Sequence, residues 1–543
     1  MSSQPVDRDL AAVLTADQRD VVDEAARRRT FAVISHPDAG KSTLTEAVAL
    51  HARVISQAGH INGKAGRRST VSDWMELEQA RGISISSAAL QFGYRGHVVN
   101  LVDTPGHADF SEDTYRVLSA VDAAVMLIDA AKGLEPQTLK LFQVCRHRGI
   151  PIITVVNKWD RPGRAALDLM DEIEERIGIS PTPLTWPVGP AGEFHGVLER
   201  STGRMIRFTR TAGGATVAPE DHLSAAQASE EYDPAWTAAV EESELLSATG
   251  ADFDAETFRA GMTTPVLFTS AVLNFGVRHV LDALVDRAPA PPARADVAGL
   301  PRPVSAPFSA LVFKVQAGMD TMHRDRLAYA RVCSGRFDRG MVVTHAPSGR
   351  PFATKYAQQV LGRERSTLDV AYAGDVIGLV NATMLRPGDT LYAADPVEFP
   401  PIPSFAPEHF AVCEARDSGR YKQFRRGIEQ LEQEGVVQVL RSDRRGAQAP
   451  VLAAVGPMQF EVAEHRMNNE FGAPVHLQRL EYSLARATDR AAVAVLDRER
   501  GVEVLERSID GVLLALFPDV WRLNGVQRQH PHLALSPLVA AAD

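Results

Sequence analysis

The sequence is poor in cysteine and aromatic residues, and it has no long apolar run. Three cysteines occur in 543 residues, widely separated at Cys145, Cys333 and Cys413, and none belongs to a CxxC pair. This pattern argues against a disulfide framework or a structural zinc site and fits a reducing compartment. No apolar stretch approaches the ~18 residues of a membrane helix, and the N-terminus lacks the basic-then-apolar pattern of an export signal. We therefore expect a cytoplasmic protein.

A surplus of positive charge is also missing. The formal net charge is −10 at pH 7, which argues against a protein that binds nucleic acid over its whole surface. Local basic clusters remain at 64–69 (KAGRRS) and at 416–427 (RDSGRYKQFRRG). Both clusters would suit contacts to RNA phosphates. For the second cluster, a solvated helix face is an equally good interpretation.

Short apolar runs alternate with helix-like stretches in the first half of the chain. The runs TFAVIS, VVNLV, AVMLID, PIITVV and PVLFT are nearly continuous, as expected of strands buried on both faces of a parallel sheet. We predict an α/β nucleotide-binding domain with a mostly parallel sheet over 30–288, after an N-terminal extension over 1–29. The polar stretch near 204–250 is predicted to be an irregular surface insertion.

The pattern of apolar and turn residues changes in the second half of the sequence. A linker rich in Pro and Ala over 289–303 marks a domain boundary. Short β-like runs with Gly and Asp between them predict an antiparallel β-barrel domain over 304–398. After a second Pro-rich break the predicted order is βαββαβ, the split ferredoxin-like plan. We predict an α+β C-terminal domain over 399–543, with a weak pattern after residue 485 and no internal repeat.

Four short motifs point to a nucleotide site. The segment SHPDAGKST (35–43) nearly matches the phosphate-binding loop G-x-x-x-x-G-K-[ST], although Ser35 stands where the first Gly is expected. DTPGH (103–107), NKWD (157–160) and SA (270–271) each follow another of the apolar runs. The carboxyl ends of parallel strands meet at one edge of a sheet, where α/β proteins bind ligands. Motifs in this order therefore predict one shared site.

The first two motifs suit the phosphates and their metal ion. The loop amides can wrap the phosphates, and a helix that begins near Thr43 would point its positive end at them. Lys41 would neutralise the β- and γ-phosphates, while Ser42 and Asp103 would hold Mg²⁺. The amide of Gly106 would contact the γ-phosphate.

The later motifs suit the base. Asn157 and Asp160 would read guanine, because Asp160 can accept from the N1 and exocyclic amino donors that adenine lacks. Lys158 would pack its stem on the base, and the SA motif would contact the O6 side, so the predicted ligand is GTP or GDP with Mg²⁺. For the ring of Trp159, packing is favoured over stacking on the base. The predicted nucleotide contacts are Ser35, His36, Pro37, Asp38, Ala39, Gly40, Lys41, Ser42, Thr43, Asp103, Thr104, Pro105, Gly106, His107, Asn157, Lys158, Trp159, Asp160, Ser270 and Ala271.

These motifs resemble those of the translational GTPases, in which the first loop position is often not Gly and a His follows DTPG. The segment ARGISI (80–85) resembles the first switch of that family, with Ser84 where Thr is usual. The resemblance implies that Ser84 is a further Mg²⁺ ligand when the γ-phosphate is present. It also implies that His107 positions the attacking water behind an apolar gate of Pro37 and Ile83. An N-capping or solvent-exposed His is the alternative for His107.

Longer stretches are similar to the bacterial peptide chain release factor 3 family, within the elongation factor G-like translational GTPases. They include FKVQAGMDTMHRDRLAYARVCSGRF and AVGPMQFEV, and together they cover most of residues 30–475. The resemblance implies a monomeric GTP hydrolase that the ribosome stimulates near its GTPase-activating centre; no cis arginine finger is evident. In its GTP state such a protein drives class I peptide chain release factors off the ribosome after peptide release.

Two alternatives stay open. An elongation-factor-G-like or ribosome-protection GTPase would share the nucleotide motifs but carry two further C-terminal domains, for which this chain has no room. A non-hydrolysing GTP-dependent scaffold would not need the intact Lys41, Asp103 and His107. The sequence contains no GGQ tripeptide, so we do not expect the protein to cleave peptidyl-tRNA itself.

Overall fold

The computed structural model describes residues 14–54, 89–105, 107–211, 216–317, 326–361, 364–380, 382–402, 405–441, 445–446 and 448–538. Within these ranges, no helix combines the length and the apolar character needed to cross a membrane. The three cysteines are free and buried, and burial raises the pKa of Cys145 to about 12.

The first region is built on a seven-stranded sheet of order β2-β3-β1-β4-β5-β11-β6. Its neighbours are parallel, except that β2 runs antiparallel to β3. Every residue of β4 is buried, as expected of a central strand covered on both faces, which confirms the predicted α/β fold. The elements are α1 (Ala16–Ala26), β1 (Arg28–Ser35), α2 (Lys41–His51), β2 (Ala89–Tyr94), β3 (His97–Asp103), α3 (Ser111–Leu118), β4 (Ala123–Asp129), α4 (Pro136–His147), β5 (Ile152–Asn157), α5 (Ala166–Ile177), β6 (Ser180–Pro183), β7 (Thr185–Val188), β8 (Gly196–Glu199), β9 (Arg204–Phe208), β10 (Glu220–Leu223), α6 (Ala225–Tyr232), α7 (Ala235–Ala248), α8 (Ala255–Arg259), β11 (Thr263–Phe268) and α9 (Val277–Arg287).

The described residues near 204–250 form two strands and two helices, so the prediction of an irregular insertion is wrong. β7 to β10 form an antiparallel sheet of order β10-β9-β8-β7, and α7 packs on β7. The indole N–H of Trp186 donates to Oε2 of Glu242 at 2.7 Å, which fixes this contact. The sequence pattern is weak because α7 buries only Trp236, Ala239 and Leu246 among fourteen residues.

The second region forms an antiparallel barrel-like sheet of order β18-β17-β23-β14-β15-β22-β19-β20, with β16 and β21 as a separate pair. This confirms the predicted β domain, while the predicted linker contains the short hairpin of β12 and β13. The elements are β12 (Arg294–Ala295), β13 (Pro301–Arg302), β14 (Ser309–Ala317), β15 (Arg326–Ser334), β16 (Arg336–Asp338), β17 (Val342–His345), β18 (Arg350–Ala353), β19 (Ala357–Leu361), β20 (Glu364–Thr367), β21 (Val370–Tyr372), β22 (Val376–Val380) and β23 (Thr390–Tyr392).

A buried ion pair attaches the barrel to the first region. The Arg331 guanidinium lies 2.6 Å from a carboxylate oxygen of Asp122, and both side chains are less than a tenth exposed. A second N–H of Arg331 donates to the carbonyl oxygen of Ala120 at 2.8 Å. Burial raises the pKa of Asp122, an effect that the charge of Arg331 opposes. Breaking such a pair would leave an uncompensated buried charge, so the two domains are firmly joined here.

The third region begins with the predicted βαββαβ unit. β24 (His409–Ala415), α10 (Tyr421–Glu434), β25 (Gln438–Arg441), β26 (Val451–Ala454), α11 (Met458–Asn469) and β27 (Val475–Arg479) follow in that order. Their strands are arranged β27-β24-β26-β25. This is the ferredoxin-like arrangement, with both helices packed on one face of the sheet.

The tail after residue 480 repeats the same plan, which the sequence did not reveal. β28 (Leu484–Thr488), α12 (Arg490–Leu496), β29 (Glu503–Arg507), β30 (Leu513–Phe517), α13 (Val520–Gln529) and β31 (Ser536–Pro537) are arranged β31-β28-β30-β29. The two units join through their second strands, with Leu440 opposite Arg507. Residues from both units share one apolar cluster that includes Phe410, Leu440 and Leu516. The tail is therefore part of one eight-stranded sheet.

Two histidines, the buried His279 and the half-buried His51, predict a loss of stability in acid. Burial lowers the pKa of His51 and of His279 to about 4, below the ~6.5 of an unfolded chain. Above pH ~6.5 both states are neutral and the stability is fully present, whereas below it the unfolded state alone takes up protons. We expect the free energy of unfolding to fall by about 2 kcal/mol per histidine at pH 5.

His279→Leu tests this expectation, because neither ring nitrogen of His279 has a hydrogen-bond partner in the part of the chain that the structure describes. The unfolding midpoints of wild type and variant are measured at pH 7.5 and pH 5. The variant should lose less stability between these two pH values. An identical loss in both proteins would contradict the assignment.

Candidate nucleotide-binding site

The phosphate-binding loop connects β1 to α2 through residues 36–40. Asp38 and Gly40 have φ angles of 68° and 100°, in the left-handed region. A Cβ on Gly40 would lie 2.5 Å from the side-chain nitrogen of Asn157, so both conformation and space require glycine there. Helix α2 begins at Lys41, two residues earlier than predicted. Its first-turn amides point toward the loop, as an anion site requires.

Two polar atoms where β1 enters the loop fit a phosphate. The hydroxyl of Ser35 and Nδ1 of His36 are buried and make no hydrogen bond within the described ranges. The other ring nitrogen of His36 lies 3.0 Å from Oε2 of Glu135. Buried polar atoms are normally paired, and phosphate oxygens would supply partners. Ser35, which replaces the usual Gly, therefore offers a hydroxyl that a phosphate oxygen can pair with.

Lys41 and Asp103 bring the first two motifs together. Nζ of Lys41 lies 2.8 Å from Oδ1 of Asp103, and both side chains are buried. The amide of Thr104 also donates to that carboxylate oxygen at 3.0 Å. The hydroxyl of Thr104 donates to the carbonyl oxygen of Val33 at 2.6 Å, so it anchors the strand end to β1. The charged groups expected at the phosphates and the metal ion are thus adjacent.

The oxygen ligands near the phosphate loop fit Mg²⁺. Within the described part of the chain, no group of three or more His, Cys, Asp or Glu could hold a metal ion. Mg²⁺ keeps several waters and commonly takes one or two carboxylates together with substrate phosphates. Asp103 at the end of β3 and Ser42 in the first turn of α2 are such a minimal set. Ser84, Ile83 and Gly106, as well as the basic segment 64–69, lie outside the described residues.

Asn157 holds three loops together. Its amide nitrogen donates to the carbonyl oxygen of Ala39 in the phosphate loop at 2.9 Å. Its side-chain oxygen accepts from the amide of Ala271 at 2.9 Å and from the hydroxyl of Thr269 at 3.2 Å. The side chain is buried, and its nitrogen retains a second hydrogen for a base. Asn157 thus scaffolds the site in addition to any contact with guanine.

Asp160 and Lys158 are each held by a neighbouring side chain. The hydroxyl of Ser270 donates to Oδ1 of Asp160 at 2.6 Å, which links the third motif to the fourth. Nζ of Lys158 lies 2.8 Å from Oδ2 of Asp129. Burial would raise the pKa of Asp129, but hydrogen bonds from Lys158 and from the Ala131 amide outweigh it, and the pKa lies below its usual range. Both residues are therefore oriented before a base binds.

The ring of Trp159 belongs to the protein core, which confirms the packing that the sequence favoured, so a nucleotide contact by this side chain is corrected. The ring is 1% exposed and lies edge-on to Phe268, with centroids 4.9 Å apart. Its indole N–H donates to the carbonyl oxygen of Gly189 at 3.2 Å.

His107 is partly exposed and lies beside Asp109. Nδ1 of His107 is 3.2 Å from Oδ1 of Asp109, with 32% of the histidine side chain exposed. The amide of Asp109 also lies 3.3 Å from Nδ1, and the ring faces the edge of Phe110. The sequence did not indicate Asp109, Asp129 and Thr269, which contact His107, Lys158 and Asn157, respectively. The signal for Asp129 was its position at the end of a buried strand.

Comparison with protein families follows the same three regions. The elongation factor Tu GTP binding domain matches residues 26–290. Elongation factor G domain 2 matches residues 307–394. The C-terminal domain of class II release factor RF3 matches residues 399–527.

Curated relatives align with nearly the whole chain. Peptide chain release factor 3 of Symbiobacterium thermophilum is 45% identical, with 94% of this chain and 98% of that protein covered. Peptide chain release factor 3 of Synechococcus elongatus is 43% identical, with 98% and 96% covered. A crystal structure of a Thermus thermophilus protein shares the fold, with a TM-score of 0.67, 22% identity, and 83% of this chain and 67% of that chain covered.

Asp160→Asn tests the base contact. Loss of a charge-assisted pair of hydrogen bonds should weaken GTP binding by on the order of 2–3 kcal/mol. The affinity for xanthine nucleotides should rise relative to that for guanine nucleotides, because the C2 oxygen of xanthine stands where guanine has an amino donor and can accept from the new side-chain amide. The two affinities are measured by nucleotide titration of wild type and variant. Unchanged GTP affinity would remove Asp160 from the base site.

Proposed function

The chain belongs to the peptide chain release factor 3 family and is a translational GTPase of termination, and on this premise we propose how it acts. It hydrolyses GTP to GDP and phosphate when it is bound to the ribosome. In its GTP state it speeds the dissociation of class I release factors after the peptide has left. It works in the cytoplasm as a monomer.

The observation that carries this proposal is the convergence of the four motifs at one edge of the sheet. Lys41 reaches Asp103, Asn157 reaches Ala39 and Ala271, and Asp160 reaches Ser270. These contacts support one site with a phosphate end and a base end. A guanine nucleotide fits both ends, because the base end presents a carboxylate acceptor.

Different residues of the site stabilise the phosphate charge and hold the metal ion. Lys41 and the amides of the phosphate loop stabilise the negative charge that develops on the phosphate oxygens. Bound Mg²⁺, held by Ser42, Asp103 and Ser84, would neutralise charge on the β- and γ-phosphates. Nucleotide binding separates the Lys41–Asp103 pair, since each partner then gains an oppositely charged group. The separation makes the loop responsive to the nucleotide.

Hydrolysis requires an ordered water next to the γ-phosphate. We assign this role to His107, which passes the apolar gate of Pro37 and Ile83 when the ribosome is bound. No arginine occurs within the four motifs, so hydrolysis by the free protein should be slow. The dependence on the ribosome follows from this lack of a built-in arginine at the transition state.

The exposed face of α10 supports contact with ribosomal RNA. Lys422, Arg425 and Arg426 are exposed on one helix, and Arg425 lies 3.2 Å from Oε1 of Glu429. Arginine and lysine in such an array bind phosphates of the RNA backbone. The pairing with Glu429 offsets only part of this positive charge.

His107→Ala tests the chemical assignment. Binding of GTP should remain nearly intact, because the side chain contacts water and not the nucleotide. Ribosome-stimulated hydrolysis should fall roughly a hundredfold or more, the usual loss when a group that handles the attacking water is removed. Single-turnover phosphate release and nucleotide affinity are measured side by side.

Lys41→Ala serves as the contrasting variant. It should weaken nucleotide binding itself, because a charge that faces the phosphates is lost. Normal turnover by the His107 variant would mean that another residue positions the water. Absence of phosphate release from wild type with ribosomes would favour a GTP-dependent scaffold.

The biological role is tested on ribosomes after peptide release that carry a labelled class I release factor. Addition of the protein with GTP should accelerate dissociation of the label, because the GTP-bound protein and the release factor each weaken the binding of the other. Omission of nucleotide or use of Lys41→Ala should abolish the acceleration. Dissociation at the spontaneous rate during GTP hydrolysis would favour an elongation-factor-G-like or ribosome-protection role.

A further inference from the structure

Asp109 lies between His107 and the third region of the protein. It belongs to a short 3-10 helix, Ala108–Phe110, and only 9% of its surface is exposed. Its carboxylate faces Nδ1 of His107 through Oδ1 at 3.2 Å. The backbone N–H of Met458, at the start of α11, donates to its other oxygen, Oδ2, at 2.6 Å. One carboxylate therefore joins two sites that are far apart in sequence.

The third region is shaped to receive this carboxylate. A Cβ on Gly456 would overlap both oxygens and the carboxyl carbon of Asp109. The φ angle of Gly456 is not in the left-handed region, so the need for glycine is one of space alone. Gln459 fixes the receiving turn, because its side-chain oxygen accepts from the amides of Val455 and Gly456 at 2.8 and 3.2 Å.

Apolar and polar contacts around Asp109 hold the same interface. Phe110 packs with Val462, Val436 and Met458 of the third region in one cluster. Arg116 of α3 donates to the backbone oxygen of Glu434 at 3.4 Å. The carboxylate of Glu434 lies 2.8 Å from the buried Arg466 guanidinium on α11. These contacts fix the helix that follows His107 against α10 and α11.

The geometry at Nδ1 holds the imidazole in either neutral form. When Nδ1 carries a proton it can donate to the Asp109 carboxylate, and when it does not it can accept from the Asp109 amide. In both cases the ring stays beside Asp109, and Nε2 remains for another partner. A base that a neighbouring carboxylate orients through one nitrogen, while the other acts, is a recurrent arrangement in enzymes.

We propose that Asp109 is a positioning residue that orients His107 for its water and takes its own position from the third region. This inference rests on the proposed role of His107 in hydrolysis. Displacement of the turn at Gly456 would then move the carboxylate and, through it, the imidazole. The rate of hydrolysis would depend on how the third region docks, although the four nucleotide motifs all lie in the first region.

The test compares three single variants. Asp109→Ala removes the carboxylate, and Gly456→Ala displaces it from the other side of the interface without a change of charge. Gly525→Ala is the matched control, because it makes the same substitution in the same region where a Cβ meets nothing within 4 Å. Ribosome-stimulated single-turnover hydrolysis and GTP affinity are measured for each protein.

We expect Asp109→Ala and Gly456→Ala to hydrolyse GTP about ten- to a hundredfold more slowly, the usual loss when the group that orients a functional histidine is removed. Their GTP affinities should stay within about twofold of wild type, which also reports that the nucleotide domain is folded. Gly525→Ala should match wild type. Wild-type rates for both interface variants would overturn the proposal.

A double variant separates positioning from a general effect on structure. Because Asp109 acts through His107, His107→Ala combined with Asp109→Ala should be no slower than His107→Ala alone. Multiplied losses in the double variant would overturn the proposal. A slow His107→Ala together with a normal Asp109→Ala would refute the inference while leaving the proposed function intact, whereas a normal His107→Ala would refute the proposed function itself.

Discussion

The hydrogen bonds of Asn157 are the interaction on which the nucleotide site depends. A parallel sheet brings the ends of its strands to one edge, but it does not fix the loops that leave them. Asn157 ties the phosphate loop at Ala39 to the base loop at Ala271 through one buried side chain. Gly40 must be glycine because that side chain lies against it. These hydrogen bonds thereby fix the position of the phosphate loop relative to the base loop.

A second constraint is the packing of the later regions against the first region, beginning with the segment that follows His107. The helix α3 that follows it is packed on the third region through Phe110 and Arg116, and the barrel is fixed to the first region by Arg331 and Asp122. Both later regions thus pack against the nucleotide domain. The short segment after DTPGH therefore links His107 to the third region, because Asp109 contacts both.

The hydrophobic pattern predicted the central sheet, the barrel and the first ferredoxin-like unit, because their strands are buried enough to leave continuous apolar runs. It failed for the segment near 204–250, where a helix of fourteen residues buries three side chains. It also failed for the tail, whose strands β28 and β29 mix buried positions with partly or fully exposed ones. The tail is stabilised by pairing with β25 and by a shared apolar cluster. Those contacts are tertiary and leave little local signal.

The sequence by itself determined the family, the nucleotide and the order of the three folded regions, because each depends on short motifs or on local hydrophobic periodicity. It also indicated Lys41, Asp103 and Asp160 as the charged groups of the site. Tertiary structure alone decided that Asn157 is shared between loops and that Asp109 meets Met458. Those two contacts join residues 118 and 349 positions apart. A hydrogen bond requires placement to within a few tenths of an ångström, and only the packed domains supply it.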